Sequence, residues 1–594
     1  MVKRKTNPAS GAERSGRMAP PASGRVRALL FFVFVVGILI MTRLFVLQFV
    51  GADKWRALAE NQQSVSAELV PDRGELYFRE GEAMYPAAVN REYPLLYLVP
   101  GEIENVAATA EALSGAVGIP SSDIREKCQN LDNRFAPIKK KLTDDEASRV
   151  AELGLKGVYL RKEKVRYYPG GSLAGQVVGF VSPGDPGKGD KGRYGLESWL
   201  DDLLRGKPGM VEQKRDAGGR WISTDDRVMV PAEEGPDVVL TIDHVIQHEA
   251  EEILRDSVEK YAGDGGSIVV MEPSTGRILA MASDPSFDPN EYGKTEDYAR
   301  FLNPTVSMTY EPGSTMKPIT MAIGIDEGKV EPDTAFFDPG SVSISGYTLK
   351  NAEGKTYGKT DMYGVLDNSI NTGVIHVESL VGNARFADRM SQFGFGQKTG
   401  IDLPAELGGN IRNLSDIRRD IQFYTASFGQ GITTTPLQLI DAYGALANKG
   451  VLMKPRIVEK YVYGDGREEV VEPEEVRPVV SSETAEKMGK MLEDVVLRGH
   501  GKRAAVPGYR VGGKTGTAQV AKEGGGGYED GLSIGSFVGY APIGDPKFVV
   551  LTKVDNPKNV EWAESSAAPM FGSMMKFLLS YAKVEPTEPI PAQK

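Results

Sequence analysis

The longest run of apolar positions in the chain lies close to the N-terminus. Residues 28–42 are fifteen uncharged, mostly apolar residues, and after Arg43 the apolar character continues to Val50. Fifteen helical residues cover only about 22 Å, whereas the 23 residues from 28 to 50 cover about 34 Å, enough for a hydrocarbon core of about 30 Å. The pattern predicts one membrane-spanning helix over 28–50, in which Arg43 snorkels or faces a partner helix.

The residues around this run indicate how it is oriented in the membrane and whether it is cleaved. Residues 1–27 carry seven basic side chains and one acid, so we expect this tail in the cytoplasm and the chain after about residue 50 outside. A cleaved signal peptide is the alternative. However, the nearest Ala-x-Ala site, Ala57–Ala59, lies well beyond the apolar run and follows several charged residues. We therefore predict an uncleaved single-pass anchor in the cytoplasmic (inner) membrane.

Residues 51–230 show short strand-like and helical patterns without a recognisable catalytic cluster. The string Thr143-Asp-Asp-Glu146 is a capping box that opens a helix ending near Leu153. A glycine-rich stretch at 184–195 predicts a loop before a second helical segment at about 196–204. This composition is typical of a positioning or interaction module, which we call the pedestal.

From about residue 231 the apolar runs become longer and hairpin signals appear. The predicted elements are a strand at 237–241, a helix from 244 to about 260, hairpins at 267–283 and 533–554, and a helix at about 569–583. This order predicts an α+β domain over 231–583, in which an antiparallel sheet is flanked by helices and carries an all-helical insertion. The Pro- and Glu-rich tail, 584–594, is predicted to be disordered.

The composition is ordinary for a folded protein and argues against only a few classes of function. The chain has 594 residues, room for two to four domains, and ordinary apolar and charged contents of 41% and 25%. Its formal charge of −11 does not suggest nucleic-acid binding. The single cysteine, Cys128, cannot form an internal disulfide and is best interpreted as a buried small apolar residue.

The first string with catalytic potential is Ser314-Thr-Met-Lys317. Ser-x-x-Lys occurs four times in the chain, and three copies lie in predicted helices where no chemistry is needed to explain them. The copy at Ser314 differs because Glu311-Pro-Gly313 predicts a turn that places the serine at the start of a helix. Lys317 then lies on the same face, where a lysine of lowered pKa can accept the hydroxyl proton.

A second string, Ser369-Ile-Asn371, is weak by itself, because a turn or a helix cap explains it adequately. Beside Ser314 and Lys317 it would add a second hydroxyl for proton relay and an amide to hold a substrate carbonyl. Its significance therefore depends on the other strings.

The third string, Lys514-Thr515-Gly516, has two incompatible interpretations. Residues 508–515 also satisfy the phosphate-loop pattern, Gly, four residues, Gly-Lys-Thr. A phosphate loop should open a helix, whereas the residues after Thr515 continue in a strand pattern. The strand interpretation is favoured, with Thr515 and Thr517 on one face for an anionic group and Lys514 supplying charge.

These strings together resemble the Ser-x-x-Lys, Ser-x-Asn and Lys-Thr-Gly motifs of penicillin-binding proteins and serine β-lactamases. Further strings resemble the class B penicillin-binding proteins, of the division type (FtsI-like). They are Thr275–Ser283, Phe428–Ile432 with Thr435–Leu439, and Tyr168–Gly171. The string Arg73–Gly81 resembles a pedestal motif of the same family, but Phe78 stands where aspartate is usual. That motif is thought to support the fold, so the departure leaves the activity unaffected.

The resemblance implies the penicillin-binding transpeptidase fold and a D,D-transpeptidase that needs no metal or other cofactor. Ser314 would be the nucleophile, Lys317 its base, and Ser369 and Lys514 would assist proton transfer to the leaving amine. The backbone amides of Ser314 and Thr517 would form the oxyanion hole. By the same resemblance, the substrate would be held by four residues: Asn371, Thr515, Gly516 and Thr517.

The implied partners are peptidoglycan stem peptides on lipid-linked precursor strands, β-lactam antibiotics, a membrane glycosyltransferase and other division proteins. Three alternatives to septal transpeptidation stay open on the sequence. The first is an elongation-type transpeptidase, and the second is a D,D-carboxypeptidase or β-lactam-hydrolysing relative, in which water attacks the acyl-enzyme. The third is a division-complex scaffold with dispensable catalysis.

Overall fold

A computed structural model of the protein describes residues 24–52, 54, 64–184, 189–214, 228–522 and 527–589. By its internal contacts the chain divides into two compact units. One unit comprises residues 1–69 and 208–232, and the other comprises residues 70–207 and 233–594. Most of the basic tail predicted for 1–27, and the end of the tail predicted to be disordered, lie outside the described residues.

The predicted membrane anchor is a helix. An α-helix runs from Gly24 to Phe45 and continues as a π-helical turn over Val46–Val50. Val26–Val50 is 25 residues long and contains an 18-residue stretch that has a mean hydropathy of 2.7 and is not buried against other parts of the described chain. Its length and composition suffice to cross a membrane.

Nine strands lie in the described residues before 231. They are β1 (Ser64–Leu69), β2 (Leu76–Glu80), β3 (Ala83–Leu98), β4 (Ala136–Lys139), β5 (Val158–Tyr167), β6 (Val181–Pro183), β7 (Asp190–Gly192), β8 (Gly209–Lys214) and β9 (Val228–Val230). The helices of this region are Val106–Val117, Ser121–Lys127, Asp144–Glu152, Gly175–Val178, Gly195–Trp199 and Asp201–Leu204, with a 3-10 turn at Pro100–Glu102. Strands β1, β8 and β9 form one antiparallel sheet, and the long strand β3 pairs with β2, β4 and β5.

The local helix signals in the pedestal are confirmed. The helix Asp144–Glu152 is opened by Thr143, whose hydroxyl accepts the Glu146 amide at 3.2 Å. The Glu146 carboxylate in turn accepts the Thr143 amide at 3.2 Å, which completes the capping box. The segment predicted at 196–204 forms two short helices rather than one.

Buried charges hold the pedestal together. Glu197 is fully buried and pairs at 2.7 Å with both Arg73 and Arg166, while Arg73 also reaches Asp201 at 2.8 Å. Phe78, which occupies the usual aspartate position, is 1% exposed and joins the main hydrophobic core. The Phe78 position therefore contributes to this fold by apolar packing, and Arg73 by ion pairs.

Fourteen strands lie in the part of the chain after residue 231 that the structure describes. They are β10 (Asp237–Asp243), β11 (Gly265–Glu272), β12 (Arg277–Asp284), β13 (Phe336–Asp338), β14 (Ser341–Ile344), β15 (Tyr347–Lys350), β16 (Gly358–Thr360), β17 (Val451–Met453), β18 (Val458–Val462), β19 (Glu468–Val470), β20 (Glu475–Pro478), β21 (Gly512–Ala521), β22 (Tyr528–Ala541) and β23 (Phe548–Asp555). The predicted antiparallel sheet has the order β12-β11-β23-β22-β21. Strand β10 joins a different sheet, where it pairs with β2 of the pedestal and with β18.

The helices of this region cover both faces of the five-stranded sheet. They are His244–Tyr261, Pro304–Ser307, Lys317–Asp326, Met362–Asp367, Asn371–Val381, Asn383–Gln392, Asp420–Ser427, Pro436–Ala447, Ser482–Leu497 and Ala567–Tyr581. Shorter 3-10 turns lie at Pro289–Lys294, Tyr298–Phe301, Gly313–Met316, Ala352–Gly354, Arg412–Ser415 and Lys502–Ala504. Along β11, Ile268 and Val270 pack with the terminal helix, whereas Val269 and Met271 face the larger core beneath Pro436–Ala447. This alternation is the period of two expected for a strand buried on both faces.

The insertion between β12 and β21 differs from the all-helical prediction. It is largely helical, but it also contains β13–β20 as short paired strands. Each of these strands is only three to five residues long, too short to give a clear alternating pattern. The β14–β15 hairpin also turns through Ser345 and Gly346, both of which have positive φ. This pair of residues is a weak sequence signal for a hairpin turn.

We expect Glu197→Gln to destabilise the pedestal. Arg166, whose side chain is 2% exposed, would lose its carboxylate partner, and breaking a buried pair costs about 3–5 kcal/mol. Urea unfolding of the full chain followed by fluorescence measures the change. The matched control is Asp202→Asn, an exposed carboxyl in the same helical segment, which should change stability by less than about 0.5 kcal/mol. Equal stabilities of the two variants would contradict the role of this network.

The same pair predicts how stability depends on pH. Burial by itself raises the pKa of Glu197, but the Arg166 and Arg73 guanidiniums outweigh it and hold that pKa below its ordinary value of 4.5. A lowered folded-state pKa contributes stability above the unfolded value, and this is lost as the pH falls through the folded value. We therefore expect wild-type stability to fall more steeply below about pH 4.5 than that of Glu197→Gln.

Candidate active site

The turn that carries Ser314 places it directly before a helix. Residues Gly313–Met316 form a 3-10 turn, and the α-helix Lys317–Asp326 follows without a break. Side chains three residues apart eclipse in a 3-10 turn, so Ser314 and Lys317 share a face, as predicted. Ser314 is half-buried and Lys317 is fully buried.

The structure brings the second string to the first. Ser369 lies between the helices Met362–Asp367 and Asn371–Val381, in a left-handed conformation with φ 55°. The Lys317 ammonium donates to the Ser369 hydroxyl at 2.9 Å and also to the Ser369 carbonyl oxygen. The lysine of one string therefore contacts the serine of the other.

The third string lies on strand β21, which confirms the strand interpretation and leaves no helix after Lys514-Thr515. Lys514 is fully buried and Thr515 nearly so, whereas Thr517 is half-buried. A Cβ at Gly516 would lie 2.8 Å from the Pro312 carbonyl oxygen and 2.9 Å from the Ser536 hydroxyl. Only glycine allows this edge strand to lie so close to the turn that carries Ser314.

The burial of Lys317 and Lys514 in one site lowers the pKa of both side chains. Burial lowers the pKa of Lys317 well below its ordinary value of 10.5, and the positive charge of Lys514 lowers it further. Burial also lowers the pKa of Lys514, to about 8, although Asp367 and Glu564 act in the opposite direction. The arrangement therefore favours the neutral form of Lys317 beside a charged Lys514.

Two carboxyl groups, the half-buried Asp367 and the buried Asp494, interact near the end of the helix that precedes Ser369. Asp367 ends the helix Met362–Asp367, and Asp494 lies on the helix Ser482–Leu497, where it pairs with Arg498. One oxygen of each, Asp367 Oδ1 and Asp494 Oδ2, is buried without a hydrogen-bond donor. Burial and the neighbouring Asp494 carboxyl raise the pKa of Asp367 to about 7. Near neutral pH, one shared proton would satisfy both oxygens.

The segment that carries Asn371 is supported by a buried aspartate. Asp338 accepts hydrogen bonds from the Thr372 hydroxyl and from the Asn351 amide, the latter at 2.9 Å. The Thr372 backbone amide donates to the Asn351 side-chain oxygen at 3.1 Å, and the Asn371 side-chain amide donates to the Lys350 backbone carbonyl at 2.8 Å. These bonds hold the start of the helix Asn371–Val381 against the β14–β15 hairpin.

Sequence reasoning missed two further residues that hold the Ser314 turn. The Glu311 carboxylate accepts the Gly431 amide and the Tyr528 hydroxyl, each at 3.0 Å. The Tyr443 hydroxyl donates to the Thr315 carbonyl at 2.7 Å. Glu311 belongs to the turn string that precedes Ser314, so the sequence already placed it close to that serine. Nothing local in the sequence links Tyr443 to the site.

The other three Ser-x-x-Lys strings lie away from these residues. Ser257 is in the helix His244–Tyr261, and Ser573 and Ser580 are in the terminal helix Ala567–Tyr581. The structure therefore groups Ser314, and none of the other three serines, with the Ser-x-Asn and Lys-Thr-Gly strings.

Comparison with known proteins gives the family. Residues 266–576 match the penicillin binding protein transpeptidase domain, and residues 68–240 match the penicillin-binding protein dimerisation domain. The chain is 34% identical to stage V sporulation protein D of Bacillus subtilis, over 94% of this chain and 87% of the relative. It is 31% identical to a probable peptidoglycan D,D-transpeptidase, PenA, of Neisseria meningitidis, over 96% of this chain and 95% of that one.

A solved structure agrees with this relationship. The crystal structure of penicillin-binding protein 3 of Mycobacterium tuberculosis complexed with aztreonam aligns with a TM-score of 0.66 and 28% identity, covering 89% of this chain and all of that one. The two family matches, the full-length relatives and the fold show that the chain belongs to the class B penicillin-binding proteins and carries their D,D-transpeptidase domain.

Proposed function

We propose that this protein cross-links peptidoglycan stem peptides through an acyl-enzyme on Ser314 during septal cell-wall synthesis. The observation that carries the chemical part is the buried Lys317, whose pKa is lowered by burial and by Lys514 and whose side-chain nitrogen contacts the Ser369 hydroxyl. A neutral lysine one turn from a serine is the base that a serine nucleophile requires.

In the acylation step, Ser314 Oγ attacks the carbonyl carbon of the D-Ala-D-Ala bond while Lys317 Nζ takes the hydroxyl proton. The new C–O bond gives a tetrahedral oxyanion, which the backbone amides of Ser314 and Thr517 stabilise. When the C–N bond breaks, the proton passes from Lys317 through the Ser369 hydroxyl to the leaving nitrogen, with the charge of Lys514 assisting. D-Alanine departs, and the stem peptide remains as an ester on Ser314.

The substrate is held by the residues around this centre. The Thr517 hydroxyl accepts the Ala563 amide at 3.1 Å, so its own hydrogen is free to donate to the terminal carboxylate of the stem peptide. Thr515 donates beside it, and Gly516 lets the strand approach. Asn371 orients the acyl chain through its remaining amide hydrogen and its carbonyl oxygen, because one amide hydrogen already binds the Lys350 carbonyl.

In the second step an amine of another stem peptide attacks the ester. The C–N bond of the cross-link forms, the C–O bond breaks, and the amine proton returns through Lys317 to Ser314. Because both steps need only these side chains, a β-lactam whose ring mimics the D-Ala-D-Ala amide would acylate Ser314 in the same way.

The cellular part of the proposal rests on the anchor and on the family strings. The helix Val26–Val50 would fix the chain in the cytoplasmic membrane, with the catalytic domain on its outer side where stem peptides occur. The likeness of the catalytic-half strings to division-type enzymes supports a septal role, with a membrane glycosyltransferase and other division proteins as partners.

We expect Ser314→Ala to abolish labelling by a fluorescent penicillin, because the hydroxyl that forms the ester is lost. In-gel fluorescence of purified full-length protein measures it. Ser573→Ala, at an exposed serine of another Ser-x-x-Lys string, is the matched control and should label like wild type. Persistent labelling of Ser314→Ala would refute the nucleophile assignment.

We expect Asp367→Asn to lower the upper pH limit of activity. The negative charge of Asp367 raises the pKa of Lys514, which burial has lowered to about 8, so its removal lets Lys514 lose its proton at lower pH. The alkaline limb of the penicillin acylation rate should therefore move from about pH 8 to lower pH. Asp545→Asn, at an exposed turn, should leave the profile unchanged. An unmoved limb in Asp367→Asn would contradict the coupling.

We expect a fluorescent fusion of the full chain to concentrate at midcell, and depletion of the protein to give filaments without septa. Fusion to Ser314→Ala should localise in the same way but fail to restore division. Distribution along the side wall, with rounded cells on depletion, would instead indicate elongation, and rescue by Ser314→Ala would indicate a scaffold.

A further inference from the structure

A small cavity lies on the far side of the helix Pro436–Ala447 from the Ser314 turn. Its volume is about 70 Å³, and its lining includes Asp441 of this helix and Arg477 of β20. The same helix carries Tyr443, which holds the Thr315 carbonyl. Asp441 and Tyr443 are two residues apart and therefore point to different sides of the helix.

The polar groups of this cavity are unequally satisfied. Gln438 donates to the carbonyls of Gln397 and Gly408 at 2.6 and 2.7 Å, so its amide is fully used. By contrast, Asp441 is 5% exposed and its Oδ1 has no hydrogen-bond donor in the described chain. Arg477 Nε is likewise buried without an acceptor among the described residues.

Asp441 and Arg477 are an acid and a base that line the same cavity, yet they do not pair with each other among the ion pairs of the described residues. A buried carboxylate without a donor is costly, so a sequence that keeps one here needs a cation or a proton to compensate it. Burial raises the pKa of Asp441 well above its ordinary value of 3.8, and the charge of nearby Glu406 raises it further, although Arg477 acts in the opposite direction. Arg477 presents donors in a fork that matches a carboxylate.

The cavity volume and the apolar residues of its lining indicate the size of a ligand and the chemical character of its central part. Leu452 and Met453, each 3% exposed, give the cavity an apolar wall between its two charged ends. A water needs about 10–15 Å³ of such volume, so 70 Å³ holds about five to seven small atoms. A free α-amino acid with a short side chain has this size and both charges.

We propose that this cavity binds a small zwitterionic amino acid, with the ammonium group on Asp441 and the carboxylate on Arg477. Leu452 and Met453 would contact its short side chain. The site is separate from the Ser314 centre, since it lies behind the helix that supports that centre. D-Alanine, which the proposed reaction releases, is the natural candidate; this choice of amino acid alone rests on the proposed function.

The test is equilibrium binding of radiolabelled D-alanine, L-alanine and glycine to the full-length protein. The Ser314 centre is first blocked by penicillin or, independently of penicillin reactivity, removed by Ser314→Ala. We expect one equivalent to bind, and Asp441→Asn and Arg477→Gln each to weaken binding at least tenfold. The matched controls Asp465→Asn and Arg467→Gln, in the exposed β18–β19 turn, should bind like wild type.

The ligand class has its own controls. Propylamine and propionate each carry one of the two charges and should bind at least tenfold more weakly than alanine. The Asp441→Asn variant should keep or raise the melting temperature of the unliganded protein, because an amide needs neither a cation nor a proton to compensate it. The proposal is overturned by absence of amino-acid binding at 10 mM, by unchanged affinity in both cavity variants, or by loss of binding when Ser314 is acylated.

Discussion

The burial of two lysines in one site is the constraint on which the catalytic half of this protein depends. Lys317 and Lys514 are both fully buried, and the charge of Lys514 disfavours the charged form of Lys317. Removing one ammonium group from water is costly, and removing two neighbouring ones is more so, unless one of them gives up its proton. The fold eases the conflict by favouring the neutral form of Lys317, the form that can act as a base. Lys514 keeps the charge, because Asp367 and Glu564 partly compensate it.

The surrounding structure exists to hold these two lysines together. One comes from a helix and the other from the edge strand of the sheet, and the two elements meet only because Gly516 has no side chain. The turn that carries Ser314 is fixed from both sides, through Glu311 to the β21–β22 hairpin region and through Tyr443 to the helix beneath. Ser369 completes the site from a third element, in a backbone conformation that is unusual for serine. The pedestal uses a comparable device, since Glu197 is buried only because two guanidiniums surround it.

Local signals in the sequence predict much of this, and long-range contacts account for what they miss. The N-terminal apolar helix, both hairpins, the capping box at Thr143 and the strand after Gly512 follow from periodicity and turn chemistry, and the structure confirms them. The grouping of the three strings could be predicted from family resemblance but not from spacing. Tyr443 contacts Thr315 across 128 residues of chain, and Asp367 and Asp494 come from different helices, so no local pattern could reveal either contact. The short strands of the insertion could not be predicted, because three to five residues are too few to show an alternating pattern.

The most direct test of this account is the pH dependence of the rate at which penicillin acylates the full-length protein. If Lys317 is neutral at neutral pH, the rate should already be close to its maximum at pH 7. It should fall only as the pH drops through the lowered pKa of Lys317, and fall again above about pH 8 as Lys514 loses its proton. A rate that instead climbs about tenfold per pH unit from pH 7 to pH 10 would show that Lys317 keeps an ordinary pKa, and would contradict the account.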